Sequence, residues 1–380
     1  MTKSLKIIRI ACMALLCALL LSVASLIPPV SQSTQEQPLP ESSLPDTPPS
    51  PPEPEYVTVD GEVLDIVDTS KQNYSYSEMV DDLALLYEKY PDKMSYSSIG
   101  RSHDGRNIYA VMLGNPDAEK QIIISAGVHA REYLTPMLVM KQLEFYLYNY
   151  DTAEYGGTPL TEIFEEYTFC ILPMCNPDGN TLVQYGLDAI RSSSLREAIV
   201  EIYESDKALK YTSDPLEKYL TYWKANARGV DLNRNFDTSD WATVNNVKKP
   251  SYASYKGSSP LSENESSAMA RFVQSLSNPV LSLAIHSQGE IIYFDCGKDF
   301  HKCLDLAKTA KEVCGYKIIY DTRHDAAFED WCVIKNDIIS ITVEIGNYDV
   351  KEPIPEGEFN KIWKKCRDLW VHTALAYMNQ

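Results

Sequence analysis

The sequence predicts an α/β fold: a single domain whose mixed, twisted β-sheet is covered by helices on both faces. Short apolar stretches typical of strands alternate with amphipathic stretches typical of helices across residues 74–380. This alternation is typical of a sheet with helices packed on both sides. The composition, with 44% hydrophobic and 23% charged residues, is ordinary for a globular protein and indicates neither global disorder nor a membrane bundle.

Each element follows from a local pattern. The first helix is predicted after Ser75 or Ser77, either of which can cap it. Its apolar residues recur at helical spacing, at Met79, Leu83, Leu86 and Tyr90. The predicted strands are Asn107–Leu113, Gln121–Val128, Tyr167–Met174, Leu281–His286, Glu290–Phe294, Tyr316–Tyr320 and Ile338–Ile345.

Two more helices and a turn complete the predicted elements. Thr135 followed by Pro136 predicts a helix N-terminus, with the helix running to about Tyr150. The stretch NPDG at 176–179 predicts a turn. A single final helix is predicted to carry one row of large and small apolar residues: Phe359, Trp363, Trp370 and Ala374.

The N-terminal region differs in composition from the rest. Residues 1–27 combine basic side chains with an apolar stretch, which predicts an export signal or, because the stretch approaches roughly 18 residues, a membrane anchor. Ten of the 22 prolines fall in residues 28–54, so residues 28–56 are predicted to be an extended linker. Residues 57–73 are interpreted as a short connecting segment and 74–380 as the globular domain. The location expected is extracytoplasmic, secreted or tethered by the N-terminal segment.

Charge and cysteine usage exclude some classes of protein. The net charge of −18 leaves no basic stripe for phosphates, so no nucleic-acid partner is expected. Seven of the nine cysteines lie in the domain, an odd number without a CxxC pair, which argues against a structural zinc cluster. Cys170 and Cys175 are predicted to lie on opposite faces of one strand and not to pair. Buried free thiols are therefore expected.

Four acid and histidine positions are candidates for the chemistry. His129 and Glu132 lie three apart just beyond a predicted strand, and His286 ends another strand. Two histidines and one glutamate, with a fourth position left for water, form a donor set for catalytic zinc. Glu344 interrupts an apolar strand, and a buried carboxylate must be paired, bind a metal or act as a base.

The stretch WKANARGVDLNRNF at 223–236 concentrates arginine and amide side chains between two aromatic residues. A guanidinium binds a carboxylate with two parallel hydrogen bonds, and a neighbouring asparagine adds a directed one. This stretch is therefore a candidate for carboxylate recognition.

Together these motifs, in the order HxxE, NPDG, WKANARGVDLNRNF, IHS and a late strand glutamate, resemble the zinc carboxypeptidase family, the carboxypeptidase A-like metallopeptidases, over about Tyr74–Met378. The resemblance implies the family fold and one Zn²⁺ per chain, held by His129, Glu132 and His286. It also implies a role for each remaining residue, with Glu344 as general base and then general acid. The other implied contacts are Arg131 on substrate carbonyls, Asn233 and Arg234 on the terminal carboxylate, and Arg228 on the oxyanion.

Two positions depart from the family pattern. The place of the family's mobile-loop tyrosine falls on Thr322, with Tyr320 and His324 two residues to either side, and which of them serves stays open. The residue at the base of the side-chain pocket is Glu329 by the same register. An acid there favours a cationic or amino-bearing C-terminal side chain, while the alternative is that Glu329 faces solvent.

The substrate expected is a peptide. The stretch HSQGE at 286–290 resembles the bacterial branch that trims peptidoglycan stem peptides, whose lysine or diaminopimelate would suit Glu329. A general secreted carboxypeptidase, an amino-acid deacylase on the same fold and an inactive wall-binding module are the alternatives. The chain is expected to be a monomer that meets a membrane only through its N-terminal segment.

Overall fold

The computed structural model describes residues 57–59, 62–71, 73–244, 247–295, 299–320, 324–348, 351–355 and 357–378. They all belong to one compact unit, Glu53–Gln380. The predicted export segment and proline-rich linker lie outside the described residues and stay predictions. Among the described residues, no helix combines the length and the apolar composition that a membrane span requires.

The described chain alternates strands and helices. In chain order the strands are β1 Val57–Val59, β2 Glu62–Leu64, β3 Met94–Arg101, β4 Asn107–Leu113, β5 Lys120–Ala126, β6 Glu154–Tyr155, β7 Thr158–Pro159, β8 Tyr167–Leu172, β9 Pro279–His286, β10 Ile291–Asp295, β11 Lys317–Tyr320 and β12 Ile339–Glu344. The α-helices are α1 Tyr76–Lys89, α2 Leu134–Tyr148, α3 Leu160–Glu166, α4 Pro177–Tyr185, α5 Ser193–Ala208, α6 Leu216–Thr221, α7 Asn264–Ser275, α8 Phe300–Cys314, α9 Phe328–Asn336, α10 Phe359–Cys366 and α11 Leu369–Met378.

Eight of the strands form one mixed sheet in the order β11-β10-β12-β9-β5-β8-β4-β3. The four central strands, β12, β9, β5 and β8, run parallel to one another. Antiparallel pairing begins on either side of them, at β10 next to β12 and at β4 next to β8. The predicted mixed sheet is confirmed, and each predicted strand is present with ends displaced by at most two residues.

Side chains from both faces of the sheet are buried. Ile122 and Ile124 of β5 pack in one core cluster and Ile123 in another, because neighbouring residues of a strand point to opposite faces. Phe328 and Trp331 of α9 cover the second face. The prediction of helices on both faces is confirmed, and with both faces covered the central strands carry near-continuous apolar stretches.

The segment before α1 packs on α2. Lys141, fully buried, donates from Nζ to the carbonyl oxygens of Leu64 at 2.9 Å and Val67 at 3.0 Å. Its partner Glu144, 2.8 Å away, accepts from the backbone N–H groups of Ile66 and Val67. These contacts satisfy two buried charges and at the same time hold residues 64–67 in place.

Three local predictions were wrong. The helix predicted from Thr135 begins at Leu134, because the Thr135 hydroxyl accepts from Gly127 N and donates to Glu132 O instead of capping. The predicted NPDG turn begins α4, with Asn176 accepting from Gly179 N as its N-cap. The predicted single final helix is two helices, α10 and α11.

The cysteines agree with the prediction of buried free thiols. The six described domain cysteines are free and buried, while Cys296 lies outside the described residues.

Candidate metal centre and active site

The site forms where three adjacent parallel strands end. In the sheet β9 lies between β5 and β12, and Glu344 at the end of β12 pairs in register with His286 at the end of β9. The chain leaves β5 at Ala126 and reaches His129 through Gly127, whose φ is +62° and whose added Cβ would meet Pro136 at 2.8 Å. Only glycine fits this turn. Carboxyl ends of parallel strands are where α/β folds bring functional groups together.

His129, Glu132 and His286 converge at that edge. Their donor atoms lie within 4.8 Å of one another, and all three side chains are buried. Nδ1 of His129 lies 2.7 Å from Glu132 Oε1, and Nδ1 of His286 lies 3.0 Å from Glu132 Oε2. The two Nδ1 atoms are 3.2 Å apart. The three residues predicted as metal ligands are therefore brought together.

The second ring nitrogen of each histidine, Nε2, bears on which nitrogen is available to a metal. His286 Nε2 lies 3.0 Å from Glu329 Oε1. His129 Nε2 lies 3.3 Å from Asp231 Oδ1 and has no hydrogen-bond partner among the described residues. With the His286 proton held on Nε2 by Glu329, its Nδ1 has a lone pair for a metal. Both Nδ1 atoms and the Glu132 carboxylate face one point, where a bound cation would offset the charge of Glu132. The donor set, two nitrogens and one carboxylate, fits zinc with room for water or substrate.

Glu344 lies in the same pocket. Its Oε2 atom is buried and has no hydrogen-bond partner among the described residues. Burial, together with the charge of Glu132, raises the pKa of Glu344 to about 7, while His286 and Lys224 oppose the rise. An unpartnered carboxyl that titrates near neutrality suits a group that accepts and returns a proton.

The stretch 223–236 forms one wall of the pocket. Asp231 is fully buried, accepts from the backbone N–H groups of Asn233 and Ser254, and lies 3.8 Å from Lys224 Nζ. Arg234 Nε lies 3.7 Å from the same carboxylate. Burial alone would raise the pKa of Asp231, but Lys224, His129 and Arg234 hold it well below its usual range. Asp231 thus stays ionised and positions two cations beside a metal ligand.

The pocket holds about 260 Å³ and has a polar lining. The residues that line it are His129, Lys224, Asn233, Arg234, His286, Tyr293, Phe294, Asp325, Ala327, Glu329, Asp330, Val333, Ser340, Thr342 and Glu344. One cavity therefore contains cations that can bind a carboxylate, a candidate base and a candidate metal centre.

Comparison with known proteins agrees with this geometry. A family-wide profile described as zinc carboxypeptidase matches residues 79–365. The chain belongs to the zinc carboxypeptidase family. It is accordingly a peptidase of the hydrolase class whose cofactor is zinc.

Three known proteins show what this chain is similar to. Gamma-D-glutamyl-L-diamino acid endopeptidase 1 of Lysinibacillus sphaericus is 30% identical over 307 residues, which is 79% of this chain and 72% of that protein. Mast cell carboxypeptidase A of Mus musculus is 25% identical over 69% of this chain and 58% of its own length. The crystal structure of thrombin activatable fibrinolysis inhibitor superposes with a TM-score of 0.65 at 20% identity, over 81% of this chain and 75% of that one, which shows the shared fold.

The predicted carboxylate-binding residues of this zinc carboxypeptidase line the pocket, but both have protein partners. Asn233 Nδ2 donates to Glu329 Oε2 at 3.0 Å, and Asn233 Oδ1 accepts from Phe328 N at 2.9 Å. Arg234 Nη1 lies 3.0 Å from Asp325 Oδ2. A substrate carboxylate that binds Arg234 therefore competes with Asp325, whose side chain is 57% exposed.

The structure does not bring Arg228, predicted to contact the oxyanion, into the pocket. Its guanidinium is 49% exposed and faces Glu263 at 3.6 Å, outside the pocket. Lys224, directly after Trp223, lines the pocket together with Arg234. Arg228 lies in the turn closed by Gly229 N donating to Asn226 O, whereas the backbone of Lys224 is fixed by its N–H donating to Tyr252 O.

The other residues predicted to contact the substrate either do not line the pocket or lie outside the described residues. Arg131 is partly exposed and is absent from the pocket lining formed by the described residues. Tyr320 packs on Phe294 with ring centroids 5.1 Å apart, and His324 lies 3.6 Å from Asp240, so neither lines the pocket. Thr322 lies outside the described residues.

Glu329 lines the pocket and is 12% exposed at its side chain, so the solvent-facing alternative is wrong. Sequence reasoning missed Lys224, Asp231 and Asp325. The first two lie within the stretch already chosen for its cations and amides, whereas nothing local distinguished Asp325.

Proposed function

We propose that this chain is a metallocarboxypeptidase that releases C-terminal residues from peptides, with His129, Glu132 and His286 holding one zinc ion. The observation that carries the proposal is the shared pocket, which is lined by His129, His286, Glu344 and Arg234. Glu132, the third candidate ligand, lies against both histidines. An anchored terminal carboxylate and a hydrolytic centre at a fixed separation select the last peptide bond.

Several side chains of the pocket have separate roles in the proposed reaction. Arg234 binds the substrate's terminal carboxylate as Asp325 moves away, and Asn233 adds a hydrogen bond. Glu344 accepts a proton from the attacking water and returns it to the leaving amine nitrogen as the C–N bond breaks. Lys224 compensates the negative charge that develops on the carbonyl oxygen. A zinc ion at this site supplies a Lewis acid that polarises the carbonyl and acidifies the attacking water.

The side-chain pocket favours an amino-bearing residue. Glu329 and Asp330 supply acid groups, and the Ser340 hydroxyl is buried there without a hydrogen-bond partner among the described residues. A positively charged amino group would bring a counter-charge for the acids and a donor for Ser340. The relative from Lysinibacillus sphaericus is named for a diamino acid bond.

We therefore infer that the substrates are peptidoglycan stem peptides that end in lysine or diaminopimelate. The composition of residues 1–56 supports export to the cell wall, with the proline-rich linker as a spacer.

The test is mass spectrometry of products formed by the zinc-loaded full chain from wall-derived peptides and from ordinary peptides. The proposal expects faster release of lysine or diaminopimelate from stem peptides, and loss of release when the terminal carboxylate is amidated. Equal rates on ordinary peptides would favour a general secreted carboxypeptidase. Cleavage of acylated amino acids alone would favour a deacylase. No hydrolysis by zinc-loaded protein would leave an inactive wall-binding module.

A further inference from the structure

One carboxylate joins the candidate metal centre to the carboxylate-binding wall. Glu329, at the second position of α9, places Oε1 at 3.0 Å from His286 Nε2 and Oε2 at 3.0 Å from Asn233 Nδ2. Its side chain is 12% exposed, and His286 is 2% exposed at its side chain. The two contacts are therefore largely shielded from water, which strengthens them.

The contact with His286 orients a candidate zinc ligand. The carboxylate keeps the imidazole proton on Nε2, so that Nδ1 presents its lone pair toward His129 and Glu132. The same contact fixes the plane of the ring and makes its nitrogen a better donor to a metal. Without it His286 would be free to rotate or to carry its proton on Nδ1, where a metal cannot bind.

The contact with Asn233 orients a substrate-binding amide. Asn233 Oδ1 accepts from Phe328 N, the residue next to Glu329, so α9 holds both ends of the amide. An asparagine Nδ2 carries two hydrogens. With one donated to Glu329, the other is left for the pocket and a substrate carboxylate.

Both oxygens of Glu329 are thus already used by protein partners. An acid that only attracted a cationic side chain would present at least one oxygen to the pocket without an internal partner. Resting on the function proposed above, we propose that Glu329 is a positioning residue that sets the geometry of His286 and of Asn233 together. It links zinc binding to the grip on the substrate's terminal carboxylate, and a substrate amino group reaching Glu329 acts on both.

The test compares zinc affinity with catalysis in Glu329→Ala, Glu329→Gln and the control Ser340→Ala. Ser340 lines the same pocket, and its hydroxyl has no hydrogen-bond partner among the described residues. Zinc dissociation constants come from chelator competition without substrate. We expect Glu329→Ala to weaken zinc binding by about 10- to 100-fold, with an unchanged thermal midpoint of the metal-free protein. Glu329→Gln, which keeps an acceptor for only one partner, should fall between. Ser340→Ala should bind zinc as the original chain does.

Kinetics at saturating zinc provide the second readout. Loss of the Asn233 contact should raise KM for peptides with a free terminal carboxylate, beyond any change in selectivity for lysine over leucine. Zinc affinity within twofold of the original chain in both Glu329 variants would overturn the proposal and leave Glu329 as a charge sensor. If Glu329→Ala lowers the thermal midpoint of the metal-free protein, Glu329→Gln decides. Failure of the parent chain to cleave peptides refutes the proposed function but leaves the zinc measurement valid.

Discussion

Replacing Lys224 by methionine tests whether Lys224 is the cation that stabilises the oxyanion of the reaction. The matched control is Arg228→Gln. Lys224 lines the pocket with a side chain 21% exposed, whereas Arg228 is 49% exposed and faces Glu263. A unit charge about 4 Å from the developing oxyanion is worth about 4 kcal/mol at an effective dielectric constant near 20. That agrees with the loss of about 2.7–4 kcal/mol, or 10²–10³ in kcat, when one such group is removed. Arg228 pairs with the buried Glu263 outside the pocket, so its replacement leaves the charge beside the oxyanion unchanged.

The assay is kcat and KM on a peptide with a C-terminal lysine, with zinc content and thermal midpoint measured on every variant. Lys224→Met should lose about 10²–10³ in kcat, and Lys224→Arg, which keeps the charge, should recover most of it. Arg228→Gln should change kcat by less than about threefold. A Lys224→Met protein that retains zinc and a near-normal kcat, or a larger loss at Arg228, would refute the reasoning.

Three further predictions address the general base, the binding of the substrate's terminal carboxylate, and the packing of residues 64–67 on α2. Because only the carboxylate form of Glu344 accepts a proton and its pKa is raised to about 7, kcat/KM should fall about tenfold per pH unit on the acid side. A bound zinc ion would move that midpoint downward, and Glu344→Gln should keep zinc but lose turnover by orders of magnitude. A near-normal rate would contradict the assignment. Asp325→Asn should lower KM by about 1.4- to 5-fold by releasing Arg234, and amidated peptides should show no change. Lys141→Met should lower the free energy of unfolding by about 3–5 kcal/mol in denaturant melts, because Glu144 is left buried and unpaired. Addition of Glu144→Gln should recover part of that loss, and an unchanged melt would contradict the burial argument.

Local chemistry made much of the fold predictable. The apolar stretch around Ile122–Ile124 indicates a buried strand from its length and composition alone, and Ser75 caps α1 as expected, with Glu78 completing the capping box. The start of α2 was predicted wrongly because a side chain has a partner outside its own helix. The Thr135 hydroxyl accepts from Gly127 N across the loop that carries His129 and Glu132, instead of capping the helix.

The candidate site, like the fold, was predictable from the sequence only in part. Sequence by itself determined the kinds of donor present, His129, Glu132, His286 and Glu344, since buried imidazoles and carboxylates need partners or chemistry wherever they lie. Only the tertiary structure decided that these donors meet, because the order β12-β9-β5 in the sheet places three strand ends side by side. It also decided which cation faces the pocket.

Lys224 and Arg228 are four residues apart in one irregular stretch, where no helical or strand period fixes the direction of a side chain. Long-range contacts settle that direction instead: the Lys224 N–H donates to Tyr252 O, and the Arg228 guanidinium faces the Glu263 carboxylate. Such contacts join residues far apart in the chain, so no local pattern contains them.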